Sequence, residues 1–186
     1  MKKVIIIALF VLLNSTFSFG QNLSVYGLEI GDSKYRVESV LESKGKTVKS
    51  GTTDKGTEYL KVTYPNIGGV TFDGCSCYFN SNDELYRVAF YSSYGGTGDP
   101  GMPWEDRFRR KTNECKNTFS TMLQNLVMKY GEPTTVSDEY VTWQIYNQRI
   151  KLEFTYQYDR NQYGWIDSWV SVGLEYEKID LNSVDF

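Results

Sequence analysis

Histidine is missing from all 186 residues. Its absence removes Ser-His-Asp and Cys-His catalysis, histidine metal sites and the commonest general base near neutral pH. Cysteine is scarce, with Cys75, Cys77 and Cys115 the only three. No second Cys pair stands at zinc spacing, so no metal site is expected. Long apolar runs are lacking too. The ten residues Val4 to Leu13 fall well short of the ~20 that a membrane-spanning helix needs. No Walker loop and no dinucleotide fingerprint occurs. Gly95-Gly96-Thr97-Gly98 is glycine-rich, but no Lys-Ser/Thr follows it, and it reads as a flexible joint rather than a phosphate cradle. No D-x-D-x-D-G calcium run is present. No cofactor is expected.

Strong positive charge is also lacking. The net charge is −3, whereas nucleic-acid phosphates require a basic face. Arg107, Arg109, Arg110 and Lys111 cluster, but Glu105, Asp106 and Glu114 are interleaved with them. That mixture describes a solvated helix face.

The first twenty residues have another purpose. Lys2 and Lys3 precede the apolar run, and Asn14 to Gly20 forms a small polar tail. This is the pattern of a secretory signal peptide over residues 1–20, with cleavage before Gln21. Gln21 stands where a lipid-bearing cysteine would be needed for an anchor. The expectation is a soluble exported protein, periplasmic or extracellular in a bacterium. Taking twenty residues from 186 leaves 166, with a net charge of −5 once Lys2 and Lys3 are gone. That length fits one domain or two small halves sharing a core, and can bury roughly 70% of its unfolded surface.

In an exported chain one disulfide is expected. Cys75 and Cys77 lie two apart on a strand and point to one face, where a mutual bridge would be strained. The expected bridge therefore joins Cys115 to one of them, and spacing does not choose which. The alternative is three reduced, buried thiols.

The remaining chain alternates helical and strand patterns. Asp32 and Ser33 are suited to cap a short helix whose stripe is Val37, Val40 and Leu41, ended by Gly45. Strands follow around Leu60 to Tyr64, Val70 to Phe79 and Leu85 to Tyr91. Parity changes near Asp73-Gly74, so a bulge is expected at Gly74. Residues 93–103 read as a Gly/Pro loop between halves. A second helix is expected over about 104–130, with Phe108, Thr112, Cys115 and Phe119 at helical spacing and Gly131 as its stop. Val141 to Ile145, Ile150 to Tyr158 and Val170 to Tyr176 alternate as strands, the first two joined by Asn147-Gln148.

The two halves share the order helix, glycine, three strands. The expected fold is α+β, a tandem of helix-plus-three-strand units forming an antiparallel sheet with helices on one face. Residues 21–92 form the first α-β-β-β unit, 104–177 the second, and 178–186 a tail. Gly27-Leu28-Glu29-Ile30-Gly31-Asp32-Ser33, before Val37 and Val40-Leu41, resembles the helix opening of the SmpA/OmlA/BamE family of small envelope proteins. The doubled helix-plus-strands order is similar to the β-lactamase-inhibitor-protein fold. These resemblances imply a fold and a partner-binding role, and carry over no catalytic residue.

Aromatics are the one excess, at 16% with fifteen tyrosines. Tyr94, Trp104, Tyr163, Trp165 and Trp169 read as loop or outer-face positions. Such side chains give interfaces contact area at low entropic cost, and they also stack on sugar rings. The alternative is that most of them fill a wide sheet core. Asp138, Glu139, Asp159 and Asp167 are the candidate carboxylates for glycoside hydrolysis, and each reads as an exposed turn residue. The expected function is a non-enzymatic exported binding protein that engages a protein partner through its sheet face and aromatic loops. The alternative is a carbohydrate-binding module.

Overall fold

The computed structural model describes residues 23–98, 103–160, 162 and 164–179. The expected leader at 1–20, Tyr163 and most of the tail lie outside these residues.

Residues 23–30 form a short antiparallel ribbon, β1 (Ser24–Val25) and β2 (Leu28–Glu29). Tyr26 and Gly27 turn it, with φ of 58° and 79°, the left-handed pair that a two-residue hairpin requires. Leu23, Val25, Leu28 and Ile30 are all buried, so this lead-in is core. Helix α1 (Lys34–Ser43) opens as its cap predicts: Ser33 Oγ accepts from the Arg36 amide at 3.3 Å. Its face buries Val37 and Leu41. Gly45, at φ 70°, ends it by donating to Glu42 O at 2.8 Å.

The first run of strands is β3 (Lys49–Thr52), β4 (Glu58–Thr63), the small hairpin β5 (Asn66–Ile67) and β6 (Val70–Thr71), β7 (Gly74–Phe79) and β8 (Leu85–Gly98). Helix α2 (Pro103–Tyr130) follows. It buries Phe108, Thr112, Cys115, Met122 and Leu126, a stripe at 3.6-residue periodicity. Gly131 terminates it with φ 79°, and its carbonyl accepts the indole N–H of buried Trp143 at 2.9 Å. The second run is β9 (Thr135–Val136), β10 (Tyr140–Ile145), β11 (Gln148–Arg160) and β12 (Ile166–Lys178).

All the longer strands join one eight-stranded sheet, in the order β3-β4-β7-β8-β12-β11-β10-β9. Every neighbouring pair is antiparallel. This corrects the expected tandem of helix-plus-three-strand units. The structure has one continuous sheet and, among the described residues, two helices of 10 and 28 residues. The reason is the ladder between β8 and β12. It runs unbroken from Arg87↔Glu177 to Gly98↔Ile166, so the boundary between halves is the middle of a sheet.

Three local readings change with it. Gly95 to Gly98 belong to β8 rather than to a loop, because β12 supplies a partner for each and the Trp169 ring covers Gly95. The irregularity expected at Gly74 falls between Tyr78 and Phe79. Val70 and Phe72 lie outside β7, on a separate excursion closed by Phe72 N–H donating to Pro65 O at 3.0 Å. The β10–β11 turn is Tyr146-Asn147, with Tyr146 at φ 56°. Gln148 is drawn into the strand because its buried Oε1 accepts the Leu23 amide at 2.8 Å.

The core fills the space between the sheet's inner face and the helices. β4 gives Leu60 and Val62, β7 gives Cys75 and Cys77, and β12 gives Val170, Val172 and Leu174, all essentially inaccessible. No helix among the described residues is long and apolar enough to cross a membrane.

Cys75, Cys77 and Cys115 are free and buried. Burial is the main cause raising the Cys75 thiol, and it pushes Cys115 up to about 11. Neutral, buried thiols are poor nucleophiles. A disulfide reagent should therefore react slowly with the native protein and titrate all three thiols in guanidinium without reductant. Titration of a single thiol would instead mean that a bridge exists.

Candidate binding face

The strand ladders sort side chains into two faces with little ambiguity. On β12, Val170, Val172, Leu174 and Tyr176 point toward the helices and are buried. The residues between them, Asp167 to Glu177 at every second position, point away. Register carries this alternation across the sheet. The outward set on β8 is Arg87, Ala89, Tyr91, Ser93 and Gly95, and on β11 it is Arg149, Lys151, Glu153, Thr155, Gln157 and Asp159.

This open face is ordered by three cross-strand glycine–aromatic pairs. Gly51 faces Tyr59, Gly74 faces Tyr91, and Gly95 faces Trp169. A Cβ placed on these glycines would lie 2.5, 2.4 and 2.4 Å from an atom of the partner ring. Each ring therefore lies down over its glycine and occupies the space a side chain would take, a known device for restoring packing at strand glycines. The result is a sheet face on which aromatic rings fill the space above three strand glycines.

Cations lie above several of the tyrosines. Lys61 Nζ is 5.4 Å from the Tyr91 centroid, Arg87 Cζ 5.1 Å from Tyr78, and Lys151 Nζ 5.2 Å from Tyr140. These are cation–π distances. Lys61 is held above its ordinary pKa chiefly by its hydrogen bond with Tyr91. Ion pairs join Arg87 to Glu175 and Lys151 to Glu153, and Arg149 Nε donates to Glu177 Oε1 at 2.7 Å. Ala89 and Gly173 leave a depression of about 290 Å³ between these pairs. Glu175, on its wall, is raised above the usual carboxylate value by burial, against the opposing pull of Arg87.

Glu153 and Glu175 share that depression. Each is ion-paired, Glu153 with Lys151 and Glu175 with Arg87. Of the carboxylates read as turn residues, Asp159 and Asp167 lie within β11 and β12 and face each other across the ladder. Asp138 and Glu139 stay in the connection before β10.

Beyond the reach of β7 and β10, the central three strands continue alone. β7 pairs with β8 only as far as Tyr91, and β10 with β11 only as far as Glu153. Residues 92–98, 154–160 and 166–172 thus form a three-stranded tongue about 20 Å long. Phe108 of α2 packs beneath it, its ring centre 5.9 Å from those of both Tyr156 and Tyr158 and 6.4 Å from that of Tyr94. Beside them α2 and β11 enclose a groove of about 530 Å³, with Glu105 and Asp106 at one end and Lys116 at the other. Tyr158 Oη donates to Glu105, which holds its pKa above the ordinary value.

The tongue separates the aromatics that sequence placed together. Tyr94 lies on its inner side, half-buried against the core, and Trp104 packs likewise from the start of α2. Trp169 lies on the opposite, open face, 46% exposed, and Trp165 in the turn before β12 is 49% exposed. Tyr163 lies outside the described residues. Sequence reading missed Gly51, Gly74 and Gly95 together with their covering rings. The signal was present as period-two alternation continuing through glycine, but the partner ring lies on another strand.

The geometry defines an α+β protein in which, among the described residues, no helix covers one face of the sheet, and that face carries aromatic and charged side chains. A family model described as the TP0088 domain matches residues 108–171, a span that takes in most of α2, β9 to β11 and the start of β12. No curated protein and no solved structure matches the chain.

Gly95→Ala should lift Trp169 off the sheet. Overpacking of this kind costs about 1–3 kcal/mol, and the exposed indole can move, so the low end is expected. The same substitution in a Trp169→Ala background should be near neutral. Chemical denaturation of the four proteins measures this coupling, and equal costs in both backgrounds would show that the ring does not rest on Gly95.

Proposed function

We propose that the chain is an exported, non-enzymatic protein that binds a protein partner through the open sheet face and the exposed tryptophans of the tongue. One observation carries the reading. Trp169 rests on Gly95, its Cε3 2.4 Å from where a Cβ would stand, yet remains 46% exposed. A large apolar ring fixed in place and turned to solvent loses little entropy on association, which is why tryptophan is enriched among interface hot spots. Trp165, at 49% exposed, adds a second ring near the same end.

Other features agree with it. Lys2, Lys3 and the apolar run Val4 to Leu13 support export, to the periplasm or beyond it. The lack of histidine and the pairing of Glu153 and Glu175 with cations support a binding role over catalysis. A carbohydrate reading draws on one specific contact: Gln157, the cross-strand neighbour of Trp169, donates to Asp159 at 2.9 Å. That places hydrogen-bonding groups beside a flat ring, as a sugar requires.

Affinity capture from a cell-envelope extract tests the proposal. Wild-type protein should retain a protein partner, and Trp169→Ala should weaken it about 30-fold, the effect of losing a ~2 kcal/mol hot spot. Tyr35→Ala, at an 82% exposed ring on α1, should change nothing. Absence of any partner, or identical capture by all three proteins, would overturn it. Binding to a glycan array with loss in Trp169→Ala would favour the carbohydrate reading.

A further inference from the structure

We propose that two copies of this chain pair along the free edge of β11, antiparallel about a two-fold axis at Gln157, and so join their open faces into one binding platform. The pairing rests on the edge itself. Its link to partner binding rests on the function proposed above.

β10 leaves β11 after Tyr140↔Glu153. Among the described residues no strand follows it on that side. The Phe154 amide points there, donating to Glu139 O at 2.9 Å. Antiparallel alternation then directs the N–H and C=O groups of Tyr156, Tyr158 and Arg160 toward the same free edge. Natural sheets blunt such edges with proline, lysine, bulges or a covering segment. The run Phe154-Thr155-Tyr156-Gln157-Tyr158 has neither proline nor lysine, its ladder with β12 is regular, and its β-propensity is high. The opposite edge of the tongue is held at its base and runs on into the glycine-rich stretch Gly95 to Gly98. There Asp73 holds Ser92 and Ser93, by its amide to Ser92 Oγ at 3.0 Å and by its carboxylate from the Ser93 amide at 3.2 Å.

The occupant is a second copy because the edge complements itself. With Gln157 on the axis, Tyr156 lies opposite Tyr158 of the other copy, both with backbone groups pointing outward as a hydrogen-bonded pair requires. Thr155 then faces Asp159, and the pairing ends there, because Glu139 O already takes the Phe154 amide. No like charges meet. A slip by one residue would set outward-pointing groups against inward-pointing ones.

The platform follows from register. Trp169 pairs with Gln157 across β12 and β11. Pairing of two copies gives the row Trp169, Gln157, Gln157, Trp169 on one face. Three strand spacings put the two indoles about 14 Å apart. A partner that is itself two-fold, or that carries a repeated motif, would engage both.

Sedimentation velocity on the purified protein tests the pairing. The wild type should sediment as a species of twice the mass of the single mature chain at micromolar concentration. Gln157→Lys and Gln157→Glu each bring two like charges together at the axis and should each weaken the dimer at least about 10-fold. An equimolar mixture of the two variants should restore it, a recovery that misfolded protein would not show. A wild type that stays monomeric to about 100 µM, or a dimer indifferent to both substitutions, would overturn the pairing. Capture of a partner by such a monomer would sustain the proposed function while removing the platform.

Discussion

The ladder between β8 and β12 is the constraint on which the rest of this structure depends. Its twelve residue pairs, Arg87↔Glu177 to Gly98↔Ile166, join the last strand of each half. On the inner side it aligns Val88 with Tyr176 and Phe90 with Leu174, which packs the centre of the core. On the outer side it aligns Gly95 with Trp169, which sets the most exposed large ring on the face. Without that ladder each half would leave an apolar sheet edge and an apolar sheet face uncovered, and neither is tolerated in water.

The same ladder explains why one face is buried and the other built of flat rings and salt links. α2 packs on β8, β11 and β12 only from the inner side. Among the described residues no element covers the outer side, so its side chains must be soluble and still satisfy strand positions. Glycines under rings, lysines and arginines over tyrosines, and carboxylates between cations meet both demands. Individual surface pairs contribute little to stability, about 0–1 kcal/mol. Their larger effect is geometric: they hold cations over the tyrosine rings of the open face.

Much of the local structure was legible in the residue order. Ser33 and Gly45 bracket α1, Pro103 and Gly131 bracket α2, and the alternation from Ile150 to Tyr158 marks β11 as half-buried. These features are written in neighbouring residues, where caps and periodicity act. What was not legible depends on partners far along the chain. Gly95 to Gly98 read as a loop because glycine has weak strand preference by itself; their strand state is imposed by β12, some seventy residues later. The same holds for Gln148, drawn out of the turn by the Leu23 amide. Tyr94 and Trp104 looked like surface aromatics because their partial burial comes from packing on the core, Tyr94 against Phe108, and not from the residues beside them in the chain. The similar order of elements in the two halves suggested a tandem of helix-plus-three-strand units, whereas the structure has one continuous eight-stranded sheet.

If that ladder governs the fold, the protein must unfold as one unit. Native-state hydrogen exchange resolved by residue is the most direct measurement. The amides of β8 and β12 that pair with each other, around Phe90 and Leu174, should be the slowest in the molecule, and should exchange only through global unfolding, with the strands of both halves converging on that free energy as denaturant rises. Exchange of β4 and β7 through a separate opening, while β10 to β12 stay protected, would contradict the account and return the chain to two separable halves.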